Sequence, residues 1–425
     1  GWSITTGTDN TAVGKDALGN SSSGLVHTTA IGAYALAITT GDYNTGVGSK
    51  ALRWNSSGAS NIAVGNNAGE DNTTGTMNVF LGRSAAMNNT TGSDNIAIGY
   101  ESLKTNTTGS DNVAIGYEAH KSGGDKTRNV AIGHGVLSQG AGSWNVAIGW
   151  EACKWQTGTE NVAIGIQALH YGNTCNYSTA VGAWAMNGNS GSPSSGDKNV
   201  AVGYEALKVY DTAAENTAIG YQALKTCTTG GRNTVVGYKA HSSSTTGNGN
   251  VAIGKEAMLD CTTGYQNVAI GERALESHTT GNSQVAVGYR AGNKSTTSDN
   301  TFVGHEAGRE TSTGDKIVAV GKAALLANTT GENDTAIGFW ALKANTTANY
   351  NTAVGNSAGQ AVTTGSDNTF LGCDSGRDIT TGQKNIVIGK GAGNAGNDLT
   401  TGNNNILIGY QAAASAATVS NEVTI

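Results

Sequence analysis

The sequence predicts an all-β protein, a parallel β-roll or β-solenoid of about 24 coils built on a 17-residue repeat. Three observations carry this. An aliphatic-Gly step recurs from Gly14 to Gly409, mostly every 17 residues, with a few steps of 16 or 18 and two longer ones of 21 and 20. The residue three before each of these glycines is Val, Ile or Thr, and the residue just before it is Val, Ile or Leu. Only one proline, Pro193, occurs in 425 residues, and proline cannot donate to a ladder of hydrogen bonds.

Each coil begins with a strand of the type Asn112-Val113-Ala114-Ile115-Gly116. β-branched residues suit a pleated surface, and positions two apart share a face. One face therefore carries two aliphatic or Thr side chains. The other carries a small one, usually Ala, with Phe80, Phe302 and Phe370 as exceptions. The glycine then permits a turn that a Cβ would hinder. A variable residue, a polar residue and a small residue follow, as in Tyr117-Glu118-Ala119, and lead into an expected second short strand through Ala-Leu. Thr-Thr-Gly, as in Thr107-Thr108-Gly109, closes the second turn. Helix competes poorly, because runs between glycines are short and Thr, Asn and Gly are weak helix formers.

An asparagine recurs four residues before the glycine, as at Asn95, Asn112, Asn129 and Asn145. In-register stacking would set these amides ~4.8 Å apart as a structural ladder. Residues 1–411 read as one repeat domain, with a loop insertion near 188–196 around Pro193 and a smaller one near 393–400. Residues 412–425 read as an exit segment leading to a further C-terminal region, and Thr5-Thr6-Gly7 as the second half of a coil begun before residue 1. Stacked at ~4.8 Å, the coils would make a rod of roughly 115 Å. So thin a coil has little apolar mass, and an Ala-lined face with a few Phe would let three rods approach closely.

Composition narrows the function classes. Gly contributes 63 residues without a three-residue period, which excludes collagen. The net charge is −6 and no Lys/Arg cluster appears, so no nucleic-acid partner is expected. No segment approaches the ~20 apolar residues of a membrane helix, and no signal peptide is visible. The five cysteines show no Cys-x-x-Cys spacing and read as small apolar substitutes; Cys227 and Cys261 share a slot two coils apart, roughly 9.5 Å, too far for a disulfide.

No catalytic, cofactor-binding or metal-ligating constellation emerges. The seven histidines occur singly: His120 and His241 take the usual Leu slot, His134 and His305 the usual Tyr slot. Glu101, Glu118, Glu151, Glu205, Glu256 and Glu306 share one slot and read as a solvated edge. Tyr100, Tyr117, Trp150, Tyr204, Tyr221 and Tyr238 share the slot after the glycine. They are candidate surface contacts for a glycan, with cross-coil aromatic stacking as the structural alternative. Thr-Thr-Gly occurs thirteen times, which raises ice binding as a third reading, although its flanking residues vary. Asn106 and Asn328 head Asn-x-Thr sequons, meaningful only on a eukaryotic secretory route.

The strings Asn-Val-Ala-Ile-Gly-Tyr-Glu-Ala at 112–119 and Asn-Thr-Ala-Ile-Gly-Tyr-Gln-Ala-Leu-Lys-x-x-Thr-Thr-Gly at 216–230 resemble two related groups. One is the head domain of trimeric autotransporter adhesins. The other is the repetitive shaft of phage tail fibres. The resemblance implies a left-handed roll, three identical chains side by side, and an extracellular place on a virion surface or, alternatively, a bacterial cell surface. It also implies attachment to a host-cell glycan or protein receptor; the lack of a catalytic constellation leads to the expectation of no enzymatic activity and no cofactor. The 17-residue period with its Thr-Thr-Gly return departs from the adhesin heads and favours the viral fibre. The ending Val419-Ser420-Asn421-Glu422-Val423-Thr424-Ile425 is similar to the exit from tail-fibre repeats, where a trimerising, self-cleaving chaperone domain commonly follows.

Overall fold

A computed structural model describes residues 6–21, 24–140, 142–172, 174–189, 194–396 and 398–425. The chain divides into two compact units, Gly1–Glu215 and Asn216–Ile425. The first holds β1 (Thr11–Val13) to β12 (Val200–Val202), and the second β13 (Thr217–Ile219) to β25 (Val423–Thr424). Within each unit successive strands pair in parallel and in register: Val113, Ala114 and Ile115 face Val130, Ala131 and Ile132, and Val251, Ala252 and Ile253 face Val268, Ala269 and Ile270. The chain is thus an all-β parallel solenoid of about 24 turns with a repeat near 17 residues.

Each coil carries one three-residue strand, and the expected second strand through Ala-Leu is replaced by a turn. The reason is backbone conformation. Glu101 (φ 53°) and Leu103 (φ 52°) are left-handed, and so is Asp94 (φ 57°) ahead of the strand. The same slots repeat this along the chain. All left-handed residues other than glycine among those described are unbranched at Cβ; none is Val, Ile or Thr. That is the expected filter, since a branched Cβ is least tolerated there. Backbone bonds still run between coils in the turn: Glu118 N–H donates to Tyr100 O (2.9 Å) and Leu103 N–H to Ala119 O (2.9 Å). The strand-ending glycine is stricter still. Gly116 has φ 133°, and a Cβ on it would lie 2.2 Å from Gly133 O.

The small-residue face expected to meet neighbouring rods is instead the interior of the coil. Ala97, Ala114 and Ala131 are fully buried, as are Leu103, Leu137 and Phe80, while Ile62, Val64 and Ile96 point outward, 43%, 39% and 37% exposed. The hollow is too narrow for two opposed large side chains, and glycine makes room wherever Phe enters. A Cβ on Gly308 would sit 2.1 Å from the Phe302 ring, one on Gly69 2.6 Å from Phe80, and one on Gly376 2.4 Å from Phe370. In these coils glycine stands where the repeat has Leu.

Pro193 lies outside the described residues. The ends of its excursion rejoin the stack, with Gly188 N–H donating to Lys208 O (2.9 Å) and Ser195 N–H to Asp211 O (2.7 Å). Around 393–400, where Asn397 lies outside the described residues, Gly393 N–H donates to Ala412 O (2.8 Å) and Thr400 N–H to Ala417 O (2.8 Å). Within 412–425, Val423 and Thr424 pair in parallel with Ile406 and Leu407. The last strand therefore stacks on the solenoid.

Candidate functional site

Buried asparagines tie the coils together. Asn112 N–H donates to Asn95 Oδ1 (3.1 Å), Asn129 N–H to Asn112 Oδ1 (3.0 Å) and Asn145 N–H to Asn129 Oδ1 (2.9 Å). Asn95 Nδ2 in turn donates to Gly109 O (2.9 Å) in the corner of its neighbour. Each amide oxygen thus satisfies a main-chain donor that would otherwise be buried without a partner.

A second ladder escapes the sequence reading. Asn72 Nδ2 donates to Asn55 Oδ1 (2.6 Å), Asn89 to Asn72 (2.7 Å) and Asn106 to Asn89 (2.8 Å). Asn72, Asn89 and Asn106 head Asn-Thr-Thr-Gly and Asn55 heads Asn-Ser-Ser-Gly, and Asn106 and Asn328 are only 1% and 0% exposed. The sequon asparagines are corner fittings. The first Thr of the triplet is engaged too: Thr90 Oγ1 donates to Thr107 O (2.9 Å) and Thr329 Oγ1 to Thr346 O (2.9 Å).

The aromatic slot forms short stacks. Tyr100 and Tyr117 lie parallel at 5.2 Å, His134 continues the stack 4.9 Å from Tyr117, and Tyr221 and Tyr238 stack at 5.2 Å. Tyr117 therefore turns both ring faces to neighbours and its edge to solvent. Trp150 is 47% exposed, and Tyr204 meets Trp184 edge-on at 5.3 Å. Ile166 and Ala183 occupy the slot between Trp150 and Tyr204, so the six residues do not make one continuous file.

The glutamate row is a set of clasps rather than a solvated edge. Glu101 pairs with Lys104 (2.7 Å) and Lys121 (2.6 Å), and Glu151 with Lys154 (2.6 Å). Hydrogen bonds from Lys104 and Lys121 hold the Glu101 carboxyl down to about 2.

Histidines and cysteines fill interior slots. Burial lowers the pKa of His120 and His241 to about 4, so both are neutral at ordinary pH. Burial pushes the Cys227 and Cys261 thiols up to about 11 and 12, far from a reactive thiolate. Cys175 Sγ lies 2.9 Å from the hydroxyl of Tyr210, itself wholly buried. Among the described residues no group of three His, Cys, Asp or Glu is placed to hold a metal.

One feature repeats without a partner among the described residues, the outward pair of each strand, aliphatic in many coils and Thr followed by an aliphatic in the others. Val13, Ile31, Ile62, Val64 and Ile96 in the first unit, and Ile219, Ile253, Ile270, Ile337 and Ile386 in the second, are 36% or more exposed. The chain matches no protein-family model and no curated protein.

Proposed function

We propose that this chain is a structural attachment fibre, the shaft or receptor-binding part of a phage tail fibre, and that it works as a homotrimer of left-handed solenoids packed side by side. The observation that carries the reading is the outward aliphatic face. Two outward side chains per coil, roughly a third exposed and mostly aliphatic, present on the order of 100 Å², so a dozen coils offer on the order of 1,000 Å², beyond the few hundred Å² typical of a monomer's largest apolar patch. That is also more than the ~800 Å² per partner of a standard stable interface. Within each unit, coils joined by parallel strand pairing and by main-chain bonds in the turns suit a part that bears load. The place is the virion surface and the partner a host-cell glycan or protein. A bacterial surface adhesin is the alternative, since its copies would use the same face. Ice binding is disfavoured by the first-Thr hydroxyls, which are spent on neighbouring carbonyls. The test is adsorption: fluorescently labelled chain should bind saturably to bacteria and block adsorption of a virus that carries it. Absence of both, across strains such a virus infects, overturns the fibre reading.

A further inference from the structure

The strip two to six residues after each strand glycine is closed in many coils by an acid–base clasp. Glu101–Lys104, Glu118–Lys121 and Glu205–Lys208 in the first unit, at 2.7, 3.0 and 2.6 Å, are examples. The first two coils lack it. Their acid slot holds Asp16 and Tyr34, and their base slot holds Gly19 and Ala37, too short to cross the strip. In the third coil both slots are cationic, and Lys50 and Arg53 each turn to Glu70 at 3.6 Å. A cleft of about 500 Å³ opens as a result, walled by Asp16, Asn20, Tyr34, Ile38, Arg53 and Trp54 over Gly19 and Ala37. That volume falls within the ~300–1,000 Å³ of small-ligand sites.

We infer that this cleft is a binding site for a pyranose-based oligosaccharide, an inference that rests on the attachment reading and names its ligand class. Sugars are recognised by an aromatic plane against their C–H face and by planar polar groups that reach adjacent hydroxyls. Both are present. Trp54 is 42% exposed, and the Arg53 guanidinium stands 4.5 Å from its ring and 5.4 Å from that of Tyr34, so the cation orders both aromatics. Asp16 offers a carboxylate, Asn20 an amide and Arg53 a planar fork of donors. Around the cleft Asp16 and Glu70 stand against Lys15, Lys50 and Arg53, and this mixed charge disfavours a purely apolar ligand and offers a polyphosphate no all-cationic cradle. The contrast with the aromatic file is direct: the Tyr117 ring has an aromatic neighbour on each face, whereas Trp54 carries only Arg53 over its ring and lines the cleft. The larger cleft of the second unit, about 630 Å³ over Ala327, Ala344 and Ala361, has no aromatic in its lining.

The test uses the full chain and tri- to pentasaccharides of glucose, galactose and N-acetylglucosamine, each supplied singly and read by tryptophan fluorescence and saturation-transfer NMR. At least one should bind. Trp54→Ala should weaken it tenfold or more, and Tyr117→Ala should leave it within twofold. A second variant, Tyr34→Glu with Ala37→Lys, rebuilds the repeat's own clasp, should fold as its neighbours do, and should also abolish binding. No binding at about 10 mM of any of these sugars, or binding that survives both cleft variants, overturns the proposal. Labelled chain on bacterial cells separates the two readings. Adhesion undiminished by Trp54→Ala overturns the cleft as receptor site and spares the fibre. Cleft-dependent sugar binding without adhesion supports the cleft and overturns attachment.

Discussion

In the first unit the corner before Thr-Thr-Gly is a chain of amides from Asn55 to Asn106. In the second unit the same corner holds Cys227, Ser244, Cys261, His278, Ser295, Thr311, Asn328 and Asn345, then Val362, Ile379 and Leu399, all buried. Both keep the same coil. The carbonyls explain how. Gly75 O accepts from Asn61 Nδ2 (2.8 Å) and from Asn72 Nδ2 (3.0 Å), one amide from each ladder. Gly382 O keeps the bond from Asn368 Nδ2 (2.9 Å), while Ile379 fills the corner with methyl groups. The strand-side asparagine is therefore the more constant part, with Gln284, Ile317 and Asp334 as its exceptions from β13 to β24 (Ile406–Ile408), and the corner asparagine is one of several ways to supply volume. What both units share is the glycine that ends every strand from β1 to β24.

The largest expected effect attacks that shared part. Gly116→Ala in the first unit and Gly338→Ala in the second should each cost more than about 4 kcal/mol, since each Cβ would meet a carbonyl oxygen at 2.2 Å with φ at 133° and 141°. Urea unfolding with hydrogen exchange resolved by unit would show it. Equal losses in both units are expected, and a mild effect in either breaks the claim of common construction.

Next comes the interior exchange of Leu and Gly. Gly308→Leu should destabilise the second unit by about 1–3 kcal/mol through overpacking against Phe302, and Phe302→Ala by about 3–5 kcal/mol through a cavity. Combined, they should cost clearly less than their sum, because the leucine occupies the space the ring leaves. Additive costs in a double-mutant cycle would contradict the packing.

A pH difference of similar size sharpens the comparison. Asp334 replaces a strand-side asparagine in the second unit. It accepts from Asn351 N–H (2.8 Å) and Asn345 Nδ2 (2.8 Å), with Ile317 in the preceding coil's slot, and burial raises it from 3.8 to about 7. The folded state binds the extra proton, so this contribution is greatest below pH 3.8 and is lost as pH rises through 7. Asp334→Asn should stabilise the second unit at pH 8 by up to about 4 kcal/mol and change little at pH 4. The buried histidines act oppositely. With pKa lowered from 6.5 to about 4, His120 and His241 each contribute fully above 6.5 and lose about 3 kcal/mol as pH falls toward 4. Unfolding midpoints at pH 5 and 8 would read both signs.

The smallest effect separates the two ladders. Asn95→Ala should cost about 2–3 kcal/mol, since Asn112 N–H loses its acceptor in a buried site. Asn106→Leu should cost less, about 1–2 kcal/mol, because Gly109 O retains the bond from Asn95, only Asn89 Oδ1 loses its donor, and the second unit already carries Ile and Leu in that corner. A larger cost for Asn106→Leu would reverse the order.

The period, the strands and the strand-side ladder were legible because Gly, Val/Ile and Asn recur at fixed offsets. The inner face was not, since alternation gives two faces without saying which is enclosed. A signal existed: glycine replaces Leu at Gly69, Gly292, Gly308, Gly359 and Gly376, beside Phe80, Phe302 and Phe370. The turn after Ala was missed because its residues vary widely, and only the absence of β-branched types betrays the left-handed backbone. Asn55, Asn72, Asn89 and Asn106 were hidden by their likeness to a glycosylation signal. The cleft was visible only as two undersized residues, Gly19 and Ala37, in a slot that often holds Lys or Arg.

Sedimentation equilibrium on the parent chain and on a variant carrying Ile62→Lys, Val64→Lys and Ile96→Lys, with the same change repeated along the outward face, tests most directly whether that face joins copies. The expected result is a particle of three chains for the parent and a single, still folded chain for the variant. A parent that sediments as one chain at every concentration, or a variant that remains trimeric, contradicts it.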